Sequence, residues 1–176
     1  MNVKILYLFI LVICIYSCKK KETTNVNNEF SVSDTINIDD QKDIRSIGET
    51  LLPESKQKVE NWNEYKQLDQ LITDFYSISP SEALNLSKEL STITQQLKDS
   101  VTIERFTQPD ISIRINVLHN NALRLSDMAT ISAINSVEVK NEIQGILDAF
   151  SALNAKINNI TKQEKLEKEL EIIEFN

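Results

Sequence analysis

Cysteine, glycine and histidine are nearly missing from this chain of 176 residues, which holds 2 cysteines, 2 glycines and a single histidine. Gly48 and Gly145 stand far apart, so neither a phosphate-cradling loop nor a dinucleotide fingerprint can be built, since both need several glycines close together. His119 is preceded three residues earlier by Asn116, which rules out the Glu-x-x-His pairs of a di-iron bundle. Both cysteines, Cys14 and Cys18, fall within the first twenty residues, leaving the remainder without a disulfide framework, a thiolate nucleophile or a cysteine metal site. No loop has the Asp/Asn and Gly spacing of an EF-hand. Ser55 and Lys58 match Ser-x-x-Lys, but Ser17 and Lys20 match it too and the companion Lys-Thr-Gly is missing, so the match is chance. The expectation is a protein with no metal, no cofactor and no catalytic residues, and hence not an enzyme.

Proline is scarce as well, at 3 residues, and the chain has neither the Gly and Pro turns of an all-β protein nor the continuous apolar runs of a parallel sheet. Basic charge is in deficit: 19 Lys and Arg against 26 Asp and Glu give a net charge of −7. Nucleic acid is excluded as an expected partner on that ground, because such binding rests on neutralising phosphates.

What is present begins with MNVKILYLFILVICIYSCKK. Lys4 precedes an apolar run from Ile5 to Tyr16, followed by Ser17, Cys18 and three lysines, the order of a secretory signal. The roughly 14 residues between Lys4 and Lys19 would span about 21 Å as a helix, against roughly 30 Å of bilayer hydrocarbon. A retained membrane span is therefore not expected.

Ile15, Tyr16, Ser17 and Cys18 resemble the lipobox of bacterial lipoproteins, with an aliphatic residue three before the cysteine and a small residue just before it. The resemblance implies removal of residues 1–17 and lipid attachment to Cys18. Each buried methylene contributes about 0.8 kcal/mol, so two or three acyl chains hold a protein that one would hold only reversibly. Lys19 is not the aspartate associated in such proteins with inner-membrane retention, which implies the outer membrane. The lysines at 19–21 occupy the place of the acidic surface-export cluster of some lipoproteins, which implies a body facing the periplasm.

Residues 18–40 read as the lipidated cysteine and a flexible tether rich in Asn, Thr, Ser and charge. About 22 residues of such a chain reach roughly 25 Å. Residues 41–176 then read as a helical domain. Apolar residues recur at alternating spacings of three and four in the stripes Val59, Trp62, Tyr65, Leu68, Ile72, Phe75; Ala83, Leu86, Leu90, Ile93, Leu97; Ile111, Ile115, Leu118, Ala122, Leu125, Ala129; and Val139, Ile143, Ile146, Phe150, Leu153, Ile157, Ile160. Each stripe occupies one helix face. The fold class is all-α, an antiparallel four-helix bundle.

Helix starts have chemical signals. Ser79, Pro80 and Glu82 form a capping box with proline at the first helical position, Pro53 and Pro109 stand in equivalent places, and Asn135 with Ser136 breaks the chain before the last helix. That last helix is long, from about Val137 to Ile173, and overhangs its partners by roughly 18 Å. Its tail carries Leu166, Leu170 and Ile173, with Glu164 and Lys168 at ion-pair spacing. Ile44, Ile47 and Leu51 repeat at helical spacing, so residues 41–52 are expected to form a short additional N-terminal helix covering the overhang.

The function expected from this reading is a membrane-anchored envelope lipoprotein with a non-catalytic binding or scaffolding body, an envelope protein as partner, and self-association through the last helix left open. Trp62, Tyr65, Phe75 and Tyr76 on the first predicted helix, and Arg114, His119, Asn120, Asn121 and Arg124 on the third, include interface-forming residue types, but at helical spacing such residues are more often core and solvated face. A bundle carrying a small apolar ligand or lipid is the first alternative, and would need a cavity lined by Leu, Ile and Phe. A cryptic hydrolase is the second, and would need His119 beside a serine and a carboxylate.

Overall fold

The computed structural model describes residues 40–174, which are all-helical: α1 (Pro53–Lys58), α2 (Asn63–Phe75), α3 (Pro80–Asp99), α4 (Pro109–Met128) and α5 (Ser136–Glu174). A single 3-10 turn, Glu104–Phe106, precedes α4, and there is no strand among the described residues. Cys18 and the tether up to residue 39 lie outside the described residues. The expected long C-terminal helix is present, 39 residues from Ser136 to Glu174.

The helix starts follow from the residues that stand there. Ser79 Oγ accepts from the Glu82 amide while Glu82 Oε2 accepts from the Ser79 amide at 3.0 Å, so each satisfies a donor that the first turn of α3 leaves free. Pro53, Pro80 and Pro109 each open a helix. Asn135 Oδ1 accepts from the Val137 amide at 2.8 Å at the head of α5. The first predicted helix is interrupted, because residues 59–62 form a turn that separates α1 from α2. That turn keeps Val59 and Trp62 both buried and brings Trp62 Nε1 to Ser100 Oγ at 2.9 Å.

One hydrophobic core unites the elements. Leu68, Ile72 and Phe75 of α2, Leu90 and Leu97 of α3, Ile111, Ile115, Leu118 and Leu125 of α4, and Ile143, Ile146 and Ile157 of α5 are fully buried within it. Burying a side chain of this size contributes about 1.5–3 kcal/mol, and the apolar stripes were spaced to do so together. Phe106 plugs the α3–α4 connection, its ring 6.0 Å from that of Trp62. Helix α4 is locked to α5 by Arg124, which forks onto the buried Glu142 with bonds of 3.1 and 3.0 Å and also donates to Asn121 Oδ1. Asn121 in turn donates to the Gly145 carbonyl at 2.9 Å.

Residues 41–52 do not form the expected helix. They run as an extended strap, with Ile44 and Ile47 on the outside and only Leu51 in the core. The physical reason lies in α5, whose side chains satisfy the strap's backbone in place of the i to i−4 bonds of a helix. Ser151 Oγ accepts from the Glu49 amide at 2.7 Å, and Asn154 Nδ2 donates to the Glu49 carbonyl at 3.0 Å. Asn158 uses both ends of its amide, donating to the Thr50 carbonyl and accepting from the Leu52 amide, each at 2.9 Å. At its other end the strap is fastened by Asp40 to the backbone and hydroxyl of Ser81, by Lys42 to Glu82, and by the Arg45 amide to the Tyr76 carbonyl at 2.8 Å.

The strap also does not cover the overhang of α5. Helix α1 and the 3-10 turn flank that region instead, through ion pairs of Lys58 with Glu164, Arg105 with Glu167 at 2.9 Å and Lys165 with Glu54 at 3.8 Å. Glu164 thus spends its charge on Lys58 and, at 3.8 Å, on Arg105, rather than on Lys168. Leu166, Leu170 and Ile173 remain exposed on the tail.

Candidate functional site

The strap, the turn after α1, and α2 and α5 together enclose a half-open cleft of about 510 Å³. That volume falls in the range of small-ligand sites, roughly 300–1,000 Å³, and its apolar character fits them too. Ile47 and Leu51 of the strap form one wall, Ile72 of α2 the other, and Phe150 of α5 lines it as well. Helical spacing explains how α2 contributes: Tyr65, Asp69, Ile72 and Tyr76 stand at i, i+4, i+7 and i+11, on a single face.

Tyr65 is the rigid element of the site. Its ring stacks on Phe150 at 5.9 Å and lies 5.7 Å from Trp62, while its hydroxyl donates to Asn154 Oδ1 at 2.6 Å. Asn154 therefore joins Tyr65 to the Glu49 carbonyl, so the same amide that holds the strap orients a ring of the cleft. Burial pushes the Tyr65 phenol far up, with the negative charge of Asp69 adding to the effect, and it stays a neutral donor.

Four charged side chains line the mouth: Lys56, Glu60, Lys66 and Asp69. All four are exposed, and none stands within ion-pair distance of an opposite charge among the described residues. Desolvation by the surrounding protein raises the Asp69 carboxyl above its ordinary value, and the field of Lys56 only partly offsets this.

Of the residues singled out from sequence, Tyr65 and Tyr76 line the cleft, and the others fall elsewhere or take structural parts. His119 is buried, with Nδ1 3.0 Å from Thr94 Oγ1. Thr94 Oγ1 is also within bonding distance of the Leu90 and Ser91 carbonyls. Desolvation lowers the His119 pKa below the usual histidine range. Ser55 is buried in α1, and Lys58 is engaged by Glu164. Trp62, Tyr65 and Phe75 are core residues, and Arg124 and Asn121 belong to the α4–α5 seam. Arg114 bonds the Asp110 carbonyl of its own helix at 2.6 Å, and Asn120 is exposed. Among the described residues no three His, Cys, Asp or Glu side chains gather as a metal site, and no helix is long and apolar enough to cross a membrane.

Asp69, and the strap wall opposite α2, escape an inspection of apolar stripes alone. The signal was available in the spacing of Tyr65, Asp69, Ile72 and Tyr76, which places a carboxylate in the middle of an aromatic and aliphatic face. Compared with protein-family models, with curated proteins and with solved structures, the chain gives no match.

Proposed function

We propose that this protein is a lipid-anchored lipoprotein of the bacterial envelope whose helical body is a non-catalytic binding module, with the strap cleft as its binding site. The observation that supports binding is the cleft itself, apolar inside, charged at its mouth and braced by the Tyr65, Asn154 and Glu49 chain of hydrogen bonds. The anchor reading is supported by the lipobox-like Ile15 to Cys18 and by the polar tether behind it. In this reading Cys18 carries the lipid, the outer membrane is the destination, and the body faces the periplasm and an envelope protein partner. The body is an antiparallel bundle of α2, α3, α4 and α5, which the packing of each of these helices on the next favours.

The anchor is tested by the intact mass and membrane fractionation of the protein made in a bacterial host, beside a Cys18→Ala variant. A mature chain starting at residue 18 with lipid-sized added mass, lost in the variant together with membrane association, is the expected result. A soluble, unmodified product unchanged by the substitution would end the lipoprotein reading.

A carrier of a small apolar ligand is the reading the cleft favours over a pure scaffold, because a scaffold has no need of an aromatic and aliphatic hollow. Ile47, the most exposed of its apolar lining residues, is 70 % exposed and is free to meet a ligand without disturbing the core.

A further inference from the structure

The cleft combines two features that separately would be unremarkable. Its apolar surface is offered by the exposed Ile47 and the half-buried Tyr76, with Leu51 and Phe150 showing only their edges. Its mouth offers two cations, Lys56 and Lys66, and two anions, Glu60 and Asp69. On α2 the i, i+3 pair Lys66 and Asp69 does not close into an ion pair, and Lys56 of α1 does not pair with Glu60 of the turn that follows it. A ligand head group of one sign would meet two repelling side chains for every two attracting ones. A head group carrying both signs meets attraction from all four.

We propose that the cleft takes a free single-chain amphiphile with a zwitterionic head group, its chain on the apolar interior and its head between the lysines and carboxylates of the mouth. This rests on the reading of the cleft as the binding site. The cationic end of the head faces Asp69 and Glu60, and its anionic end faces Lys56 and Lys66. The half-open form of the cleft suits such a ligand, since the chain is withdrawn from water while the head stays hydrated. The volume of about 510 Å³ leaves room for one chain.

The test is calorimetric titration of the mature chain, residues 18–176 with Cys18→Ala, using dodecylphosphocholine below its micelle concentration. Dodecyl maltoside, with the same chain and an uncharged head, is titrated beside it. Fluorescence of Trp62, the only tryptophan, gives a second readout because its ring contacts Tyr65 in the cleft wall. The expected result is one phosphocholine site per chain, at least tenfold tighter than the maltoside. Ile47→Asp, an exposed strap position whose replacement leaves the core intact, should weaken both ligands at least tenfold. Asp69→Asn and Lys66→Gln should each weaken the phosphocholine three- to tenfold and leave the maltoside unchanged.

Equal affinity for the two head groups, with both sensitive to Ile47→Asp, would overturn the zwitterion proposal and leave the cleft as a binding site. Absence of saturable binding by either would overturn both. An equal response to phosphatidylcholine vesicles would move the binding to a lipid surface and likewise overturn the proposal.

Discussion

Replacing Gly48 with alanine sets two effects of opposite sign against each other. No glycine has a positive φ, so alanine is allowed at this backbone conformation. Restricting the unfolded chain in this way ordinarily stabilises a protein by about 0.4–1 kcal/mol. Against this, a Cβ at position 48 would stand 2.6 Å from Ser151 Oγ and 2.7 Å from Ser151 Cβ. Comfortable carbon contacts lie at about 3.5–4.0 Å, so the overlap is close to 1 Å. Rotating the serine hydroxyl does not relieve it, because Cβ is fixed to the α5 backbone. The strap must lift, at an overpacking cost of about 1–3 kcal/mol. The bond from the Glu49 amide to Ser151 Oγ, 2.7 Å long, then goes too, worth about 0.5–1.5 kcal/mol. The net expectation is destabilisation of about 1–3 kcal/mol.

Urea unfolding followed by circular dichroism measures the global part, and amide hydrogen exchange at Glu49 and Leu52 measures the strap. Gly48→Ala should speed exchange at those two amides, and combining it with Ser151→Gly should restore part of the loss, giving a coupling energy of opposite sign to the single effects. An alanine variant as stable as the parent or more so, with both strap amides still protected, would refute the close approach of Gly48 to α5.

Asn158→Leu removes the acceptor of the Leu52 amide and the donor to the Thr50 carbonyl, leaving two partly buried backbone groups unpaired. A loss of about 2–3 kcal/mol in urea unfolding is expected, with α3 amides no less protected relative to the new global stability. Ser79→Ala breaks the capping box of α3 and should cost about 1 kcal/mol, read as a lowered thermal midpoint. His119 supplies a pH dependence of definite sign. Its pKa is lower in the folded than in the unfolded protein, so between those two values the unfolded chain binds more protons and stability rises with pH. The contribution is complete above about pH 6.5 and is lost as the pH falls from there towards the folded pKa. His119→Gln should flatten the stability profile just below about pH 6.5, and an unchanged slope there would contradict the burial described. The Asp40, Glu82 and Asp110 carboxyls, all lowered chiefly by their hydrogen-bond partners, act in the same direction but at lower pH.

The interior of this protein was legible because periodicity and capping are local. The stripe from Val139 to Ile160 is buried at every position named for it, and the Ser79 capping box forms as its residues suggest. The strap was misread because Ile44, Ile47 and Leu51 imitate a helical face, whereas the groups that decide its conformation, Ser151, Asn154 and Asn158, lie on the far helix. On α5 those three polar residues stand at i, i+3 and i+7, beside the apolar stripe, and read as a solvated flank until something is found to lie on them. The break at residues 59–62 escaped for a related reason. Val59 and Trp62 keep helical spacing across a turn, since both must be buried whichever way the backbone runs. The cleft inherits both errors, having the strap for one wall and the turn after α1 for another.

The strap's partners on α5 are 102 to 109 residues away along the chain. Helices can form from neighbouring residues as they are made, but a contact of that separation waits for the intervening chain to be gathered first. Among the described residues synthesis delivers the strap first and α5 last, so the fastening of the strap to α5 comes late. Throughout that interval the strap has its partners at residues 76–82 alone, and Ser151, Asn154 and Asn158 do not yet exist. The cleft is the final part of the molecule to come into being, and a chain interrupted anywhere before α5 never acquires it.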